Sequence, residues 1–246
     1  MLAFLGGLAA GSFVTVVAHR VPRGESVVGP RSRCPGCGAQ IAAYDNLPVL
    51  SWLLLRGRGR CCGEAISARY PLAELGLGFS YLATAVVLRN DPVQLALGLV
   101  LVTALMAVTI TDLERRIIPN RVLLVTCAVG VAIAAVFDPS SLPERAIAAA
   151  AAGGLLFVVA LAYPSGMGLG DVKLAATMGL FLGRSVAPAL LVALIAGSAV
   201  GLVLIAREGA SARKKAIPFG PFLAFGAMVG LLLGNELIDW YLATFS

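Results

Sequence analysis

Apolar residues in this chain fall in long unbroken runs, not in a helical stripe or a strand alternation. Runs free of Asp, Glu, Lys and Arg cover residues 2–19, 75–88, 92–111, 122–137, 146–170, 174–183, 185–206 and 216–235. A helix needs about 20 apolar residues to cross the hydrocarbon core of a bilayer. Most of the runs reach that length with their flanks. The run 174–183 is short, and its helix is extended back to Asp171. The pattern predicts an all-α polytopic membrane protein with about eight transmembrane helices, or seven if the short one does not cross. Composition agrees: 59% of the 246 residues are hydrophobic and 13% charged, and the mean hydropathy is +0.91. A soluble domain of this size does not carry so much apolar sequence.

The basic residues orient the bundle. With the N-terminus outside, all but Arg89, Arg145 and Arg184 of the 19 Lys and Arg fall on the cytosolic side. That group includes Arg31, Lys173, Arg213, Lys214 and Lys215. The reverse orientation breaks the positive-inside rule. The asymmetry also favours eight helices, because losing the short one would invert everything after it. The pI of about 9.4 therefore speaks for topology and anionic lipid, not for nucleic acid. The first charge, Arg20, follows the first apolar run, so a retained N-out anchor is expected in place of a cleaved leader.

The one sizeable polar stretch, residues 20–70, lies between helices one and two on the cytosolic side. About fifty residues make a weak independent core, so a metal or the membrane surface should support it. "LPVLSWLLL" (47–55) is too short to span and reads as an interfacial or packed segment, with Trp52 near the headgroups. Four of the five cysteines lie in this stretch. Cys34 and Cys37 form a C-x-x-C knuckle whose thiolates can face one zinc ion. The partner pair is irregular, because Cys61 and Cys62 are adjacent, a spacing that rarely chelates one ion in relaxed geometry. A cytosolic setting disfavours disulfides, which leaves zinc or a weakened site with buried thiols. Cys127, inside a helix, reads as packing.

Two aspartates stand out at the membrane. Asp112, in "TITDLERRIIPN", closes the third helix, and Asp171, in "GLGDVK", opens the sixth. Both fall on the same face. Each has a structural alternative: a helix N-cap for Asp171 and an ion pair with Arg115 or Arg116 for Asp112. A carboxylate at a helix C-terminus opposes the macrodipole, so Asp112 needs some other benefit. Two facing carboxylates can share one proton, one taking a proton from water and the other donating to a leaving amine. Gly166, Gly168 and Gly170 oppose helix formation before Asp171 and leave a bare loop where an unwound peptide could lie. Gly168, Gly170 and Lys173 are thus the candidate substrate loop, with lipid or solvent contact the alternative for Lys173. Glu74 is a third carboxylate, read as interfacial and paired with Arg69 or another base. His19 reads as interfacial, and no Ser–His pair is assembled by a motif.

Seven segments, in order from residue 11 to 226, resemble one family. They are "GSFVTVVAHRVPRG", "PRSRCPGCGAQI", "YDNLPVLSW", "LRGRGRCCGEAISARYPLAE", "TDLERRIIPN", "GLGDVKL" and "IPFGPFLAFG". The chain resembles the full-length, bifunctional type IV prepilin leader peptidases, membrane aspartic peptidases of the GxGD class. The resemblance implies that Asp112 and Asp171 are the catalytic pair. It implies prepilins or pseudopilins of a type IV pilus, type II secretion or similar system as substrates, cut at the cytosolic face of the bacterial inner membrane. It also implies methylation of the new N-terminal amine with S-adenosylmethionine as donor. No G-x-G-x-x-G after a strand marks a Rossmann donor site. The implied division is a first transmembrane helix (1–19), a cytosolic cysteine domain linked to methyl transfer (20–70) and a seven-helix peptidase domain (71–246). The chain departs from the family at Thr15, where Asn is usual, and in the second cysteine pair. There Gly59 holds the third cysteine's place, Cys62 the fourth, and Cys61 is extra by two positions.

A different class remains arguable: a transporter, which inner carboxylates and glycine-broken helices also suit. Both aspartates at one face speak against it, since transport sites lie near the midplane. A structural pilus-assembly component is a third reading, opposed by the intact aspartates.

Overall fold

The computed structural model describes residues 1–29, 33–34, 36–164, 166–209 and 217–245. Pro35 of the first knuckle and the charges Arg31, Arg213, Lys214 and Lys215 lie outside the described residues. Among the described residues the secondary structure is helical, and β-type pairing is limited to the isolated bridges Arg33–Gln40 and Arg58–Ala65. The chain divides into two compact units, Met1–Val86 and Val87–Ser246.

The first unit contains α1 (Leu2–Arg20), the short α2 (Leu50–Leu54) and α3 (Arg69–Val87). α1 and α3 approach through small residues: a Cβ on Gly7 would lie 2.7 Å from Gly78 Cα, and one on Gly11 2.7 Å from Glu74 Cα. Such contacts let helix backbones close up where lipid gives no hydrophobic drive. Five-residue α2 cannot span, as expected. Trp52 Nε1 donates to Ile66 O at 2.9 Å, which ties α2 into the unit. Glu74 is buried and accepts the Val49 N–H at 2.7 Å, which holds Val49 at φ +61°.

The second unit runs α4 (Pro92–Arg115), α5 (Asn120–Phe137), α6 (Leu142–Ala162), α7 (Leu169–Leu182), α8 (Val186–Glu208) and α9 (Gly220–Phe245). Asp91 caps α4 by accepting the Gln94 N–H at 2.9 Å, with Pro92 at the first helical position, a placement that uses its missing donor. α4 carries a buried face, with Leu97, Leu101, Leu105 and Val108 at most 2% exposed. Outward faces carry Leu124, Val125, Leu155, Leu191 and Ile195 exposed, the surface a lipid-facing bundle presents.

Seven helical stretches among the described residues are long and apolar enough to cross a membrane. The longest, Leu169–Glu208, has 40 residues and is two helices, α7 and α8, joined by a 3₁₀ turn at Gly183–Ser185. Gly183 has φ +55°. Counting the two separately gives the eight apolar helices expected. The short one, α7, has 14 residues, roughly 21 Å at 1.5 Å per residue, less than a full span. Its C-terminal carbonyls therefore need a partner. Arg145, read from sequence as an outer-side charge, supplies it from α6. It is buried and donates to Phe181 O at 2.8 Å, Leu180 O at 3.3 Å, Ser141 Oγ at 2.9 Å and Gln94 Oε1 at 2.9 Å. A cation at a helix C-terminus satisfies both the orphan carbonyls and the dipole.

Candidate active site

Asp112 sits in the last turn of α4 and is 5% exposed. Its benefit against the local dipole comes from another helix. The Gly220 N–H, at the start of α9, donates to Asp112 Oδ2 at 2.8 Å in a buried setting. The carboxylate thus caps the N-terminus of α9, where negative charge is favoured. Among the described residues Asp112 makes no ion pair at contact distance with Arg115 or Arg116. Arg116 instead ends α4 in the left-handed region at φ +55°, its N–H on Asp112 O. Gly220 is obligatory here, since a Cβ on it would lie 2.7 Å from Asp112 Oδ2.

Asp171 is the third residue of α7, not the residue that opens it. The helix begins at Leu169 and Gly168 is its N-cap. The Asp171 carboxylate reaches back to accept the Gly168 N–H at 3.1 Å, half of a capping box. The capping alternative is therefore met by the fold, through Gly168 and not through Asp171 at the cap itself. Capping engages one oxygen of the half-buried carboxylate and leaves the other without a hydrogen bond from the cap.

Two further contacts bring the segments together. Gly170, expected in a loop, is helical and packs on the α4–α5 connection, where its Cβ would meet Ile118 Cβ at 3.1 Å. Lys173, expected to face lipid or solvent, stays exposed but donates from Nζ to Asn120 Oδ1 at 3.0 Å. Both partners lie in "RRIIPN", just after Asp112. Gly220, Ile118 and Asn120 were assigned no role from sequence. The signal for Gly220 was "PFGP" before an apolar run, a helix start with proline at its first turn.

The four thiols of the first unit also converge. Sγ of Cys34, Cys37, Cys61 and Cys62 all lie within 4.8 Å of one another. Cys34 is 3.5 Å from Cys62, Cys37 3.2 Å from Cys61, and Cys61 3.8 Å from Cys62. Four thiolates about 2.3 Å from a tetrahedral ion stand roughly 3.8 Å apart, so the cluster fits a metal ion. The sulfurs of adjacent Cys61 and Cys62 both fall within this cluster. The Cys37 backbone N–H, with help from the neighbouring thiols, holds Cys34 down at about 7. The hydrogen bond to Cys37 pushes Cys61 up to about 12. Cys127 is elsewhere, against Thr177 Oγ1 at 3.4 Å. Thr15, at the family's Asn position, donates to Ser12 O at 2.8 Å.

The fold is that of a polytopic helical membrane protein, and its first unit gathers four thiols. Residues 5–88 match the model of the Bacterial Peptidase A24 N-terminal domain, and residues 99–206 match that of the Type IV leader peptidase family. The first match contains all four clustered cysteines and the second both aspartates. A protein of Aeromonas hydrophila named prepilin leader peptidase/N-methyltransferase is 36% identical over 274 residues, covering 99% of this chain and 94% of that protein. One of the same name from Bacillus subtilis is 32% identical over 241 residues, covering 97% and 96%. Another, from Myxococcus xanthus, is 38% identical over 215 residues, covering 84% and 63%. The chain belongs to the type IV leader peptidase family. No solved structure matches it.

Proposed function

We propose that this protein is a membrane aspartic peptidase that removes the basic leader from prepilins or pseudopilins, with Asp112 and Asp171 as its catalytic pair. The observation that supports the reading is that each carboxylate is held through one oxygen by a backbone N–H, while Gly170 and Lys173 beside Asp171 meet Ile118 and Asn120 of the segment that follows Asp112. Fixed acceptors of this kind leave the other oxygens to share a proton and a water. One carboxylate takes a proton from the water as its oxygen adds to the scissile carbonyl. The other donates to the leaving amine as the C–N bond breaks. The first turn of α7, with Gly168, Gly170 and Lys173, is the edge along which the unwound substrate strand lies. The apolar helix behind the scissile bond docks laterally from the bilayer. The basic-residue pattern supports a bacterial inner-membrane protein with its N-terminus outside and this site at the cytosolic face.

The second activity, methylation of the new amine, draws on the relatives' names and on the first unit. S-adenosylmethionine would supply the methyl group. A cleft of about 490 Å³ lined by Ser12, Phe13, Arg20 and Asn46 has the size of a small-molecule site, with a cation for a carboxylate and a ring for a base. Zinc, held by Cys34, Cys37, Cys61 and Cys62, would tie the two loops of this unit together structurally. Residues 20–70 form the cytosolic domain on this reading, and residues 71–246 the peptidase bundle.

The test is purified protein in detergent, a peptide with a basic leader ending in Gly before an apolar segment, and isotopically labelled donor. Mass spectrometry should show cleavage after the Gly, then one methyl group on the new N-terminus. An uncut peptide overturns the peptidase reading. Cleavage without label overturns the methyltransferase reading alone. Active transport without proteolysis would restore the transporter class.

A further inference from the structure

Two loops of the first unit are built on one pattern. In the first, Cys34 N–H donates to Ala39 O at 2.8 Å and Gly38 N–H to Cys34 O at 2.9 Å. Arg33 bridges Gln40, and Gly38 takes φ +71°. In the second, Gly59 N–H donates to Glu64 O at 2.8 Å and Gly63 N–H to Gly59 O at 2.8 Å. Arg58 bridges Ala65, and Gly63 takes φ +70°. The bonds, the bridge and the left-handed glycine correspond one for one. The correspondence pairs Cys37 with Cys62 and Cys34 with Gly59. Cys61 is paired with Gly36, a position without a thiol.

The second loop therefore lacks a sulfur where its backbone aims one. A Cβ built on Gly59 would lie 3.8 Å from Cys34 Sγ and 3.9 Å from Cys61 Sγ, in ordinary contact and directed into the cluster. The Cys61 sulfur is 3.2 Å from that of Cys37 and 3.8 Å from that of Cys62. It fills the space that a side chain from position 59 would enter. The first loop does not accept the same rearrangement, because the Glu64 carboxylate occupies the place of a Gly36 side chain.

We propose that the second knuckle has moved its first metal ligand from position 59 to position 61. The ion is held by Cys34, Cys37, Cys61 and Cys62, and positions 59 and 61 are alternative origins for one thiolate. The proposal rests on the metal-site reading above. It explains how adjacent cysteines chelate one ion: Cys62 keeps the regular knuckle position, and Cys61 reaches across the room left by glycine.

The experiment uses the full chain in detergent with zinc, and with cobalt as a spectroscopic probe. Zinc per chain is measured by mass spectrometry, and affinity by competition with a chromophoric chelator. Wild type should hold one zinc. Cys61→Ser should weaken binding by at least about 100-fold, the upper end seen when support around a site is removed, and dim the thiolate-to-cobalt bands. Gly59→Cys combined with Cys61→Ser should recover affinity to within about tenfold and restore the four-thiolate spectrum. Cys127→Ser should bind as wild type. Wild type that takes neither metal sinks the metal reading itself. Wild type that binds, with Cys61→Ser binding equally well, sinks the moved ligand alone. A double variant that is monodisperse and still cuts peptide, yet binds no better than Cys61→Ser, also overturns it.

Discussion

The contact between Gly220 and Asp112 gives the sharpest quantitative test of how the site is held. In Gly220→Ala the new methyl would start 2.7 Å from Asp112 Oδ2, 3.2 Å from Cγ and 3.3 Å from Cβ. Carbon and oxygen do not stay at 2.7 Å, so the carboxylate turns or the start of α9 backs away by about 0.5–1 Å. Either motion breaks the 2.8 Å N–H···O bond. A hydrogen bond to a charged group is worth about 1.5–3 kcal/mol, and a displacement near 1 Å at reacting groups costs on the order of 100-fold. The two estimates give a fall of about one to two decades in kcat, with KM little changed because no substrate contact is removed. The assay is steady-state cleavage of a leader-bearing peptide in detergent, with thermal unfolding measured in parallel. Gly154→Ala is the control: nothing lies within 4 Å of a Cβ there, so its turnover should match wild type and its stability should rise by up to about 1 kcal/mol. Gly220→Ala with wild-type kcat would refute the view that α9 positions the Asp112 carboxylate.

Other consequences follow from the same contacts. Gly170→Ala puts a Cβ 3.1 Å from Ile118 Cβ; it should lower kcat about tenfold without lowering the melting temperature, and unchanged kinetics would show that this approach does not set the site. Arg145→Met leaves four acceptors without their cation, two of them carbonyls at the end of α7. Membrane hydrogen bonds average about 0.6 kcal/mol each, so it should cost about 2–3 kcal/mol in detergent unfolding, with Arg145→Lys intermediate; equal stability of all three would contradict the capping role. Chelator should strip metal more readily in acid. Cys34 is held at about 7, below its ordinary 9.0, so its contribution is fully present above pH 9 and lost as pH falls through 7. Metal retention that is flat from pH 8 to about 5.5 would exclude thiolate ligation.

The bundle was legible because uninterrupted apolar runs leave few alternatives in lipid, and all eight hydrophobic helices formed where such runs stood. The short run before Gly183 showed why boundaries were harder. Its helix starts earlier, at Leu169, because Asp171 caps Gly168 from inside the first turn and offsets the reluctance of Gly170. The aspartates were legible from charge in an apolar setting and from the GxGD resemblance. What held them was not. Gly220 lies 108 residues from Asp112, and nothing local to either announces the other. The partners of Arg145 were hidden for a similar reason, since two are backbone carbonyls of α7 and the side-chain partner on α4, Gln94, lies 51 residues away. At the cysteines, spacing argued against Cys61 because a C-x-x-C template assumes that each thiol comes from its regular place.

The central claim is that Asp112 and Asp171 act as one proton-sharing unit. Peptide cleavage by Asp112→Asn, Asp171→Asn and the double variant measures it directly. The asparagines keep the acceptor oxygens for Gly220 and Gly168, so the fold and melting temperature should hold. Each single variant should lose at least about 10³-fold in kcat, and the double variant should lose little more, as groups acting as a unit do. A single variant that still cuts within about tenfold of wild type, or losses that multiply in the double variant, would contradict the account.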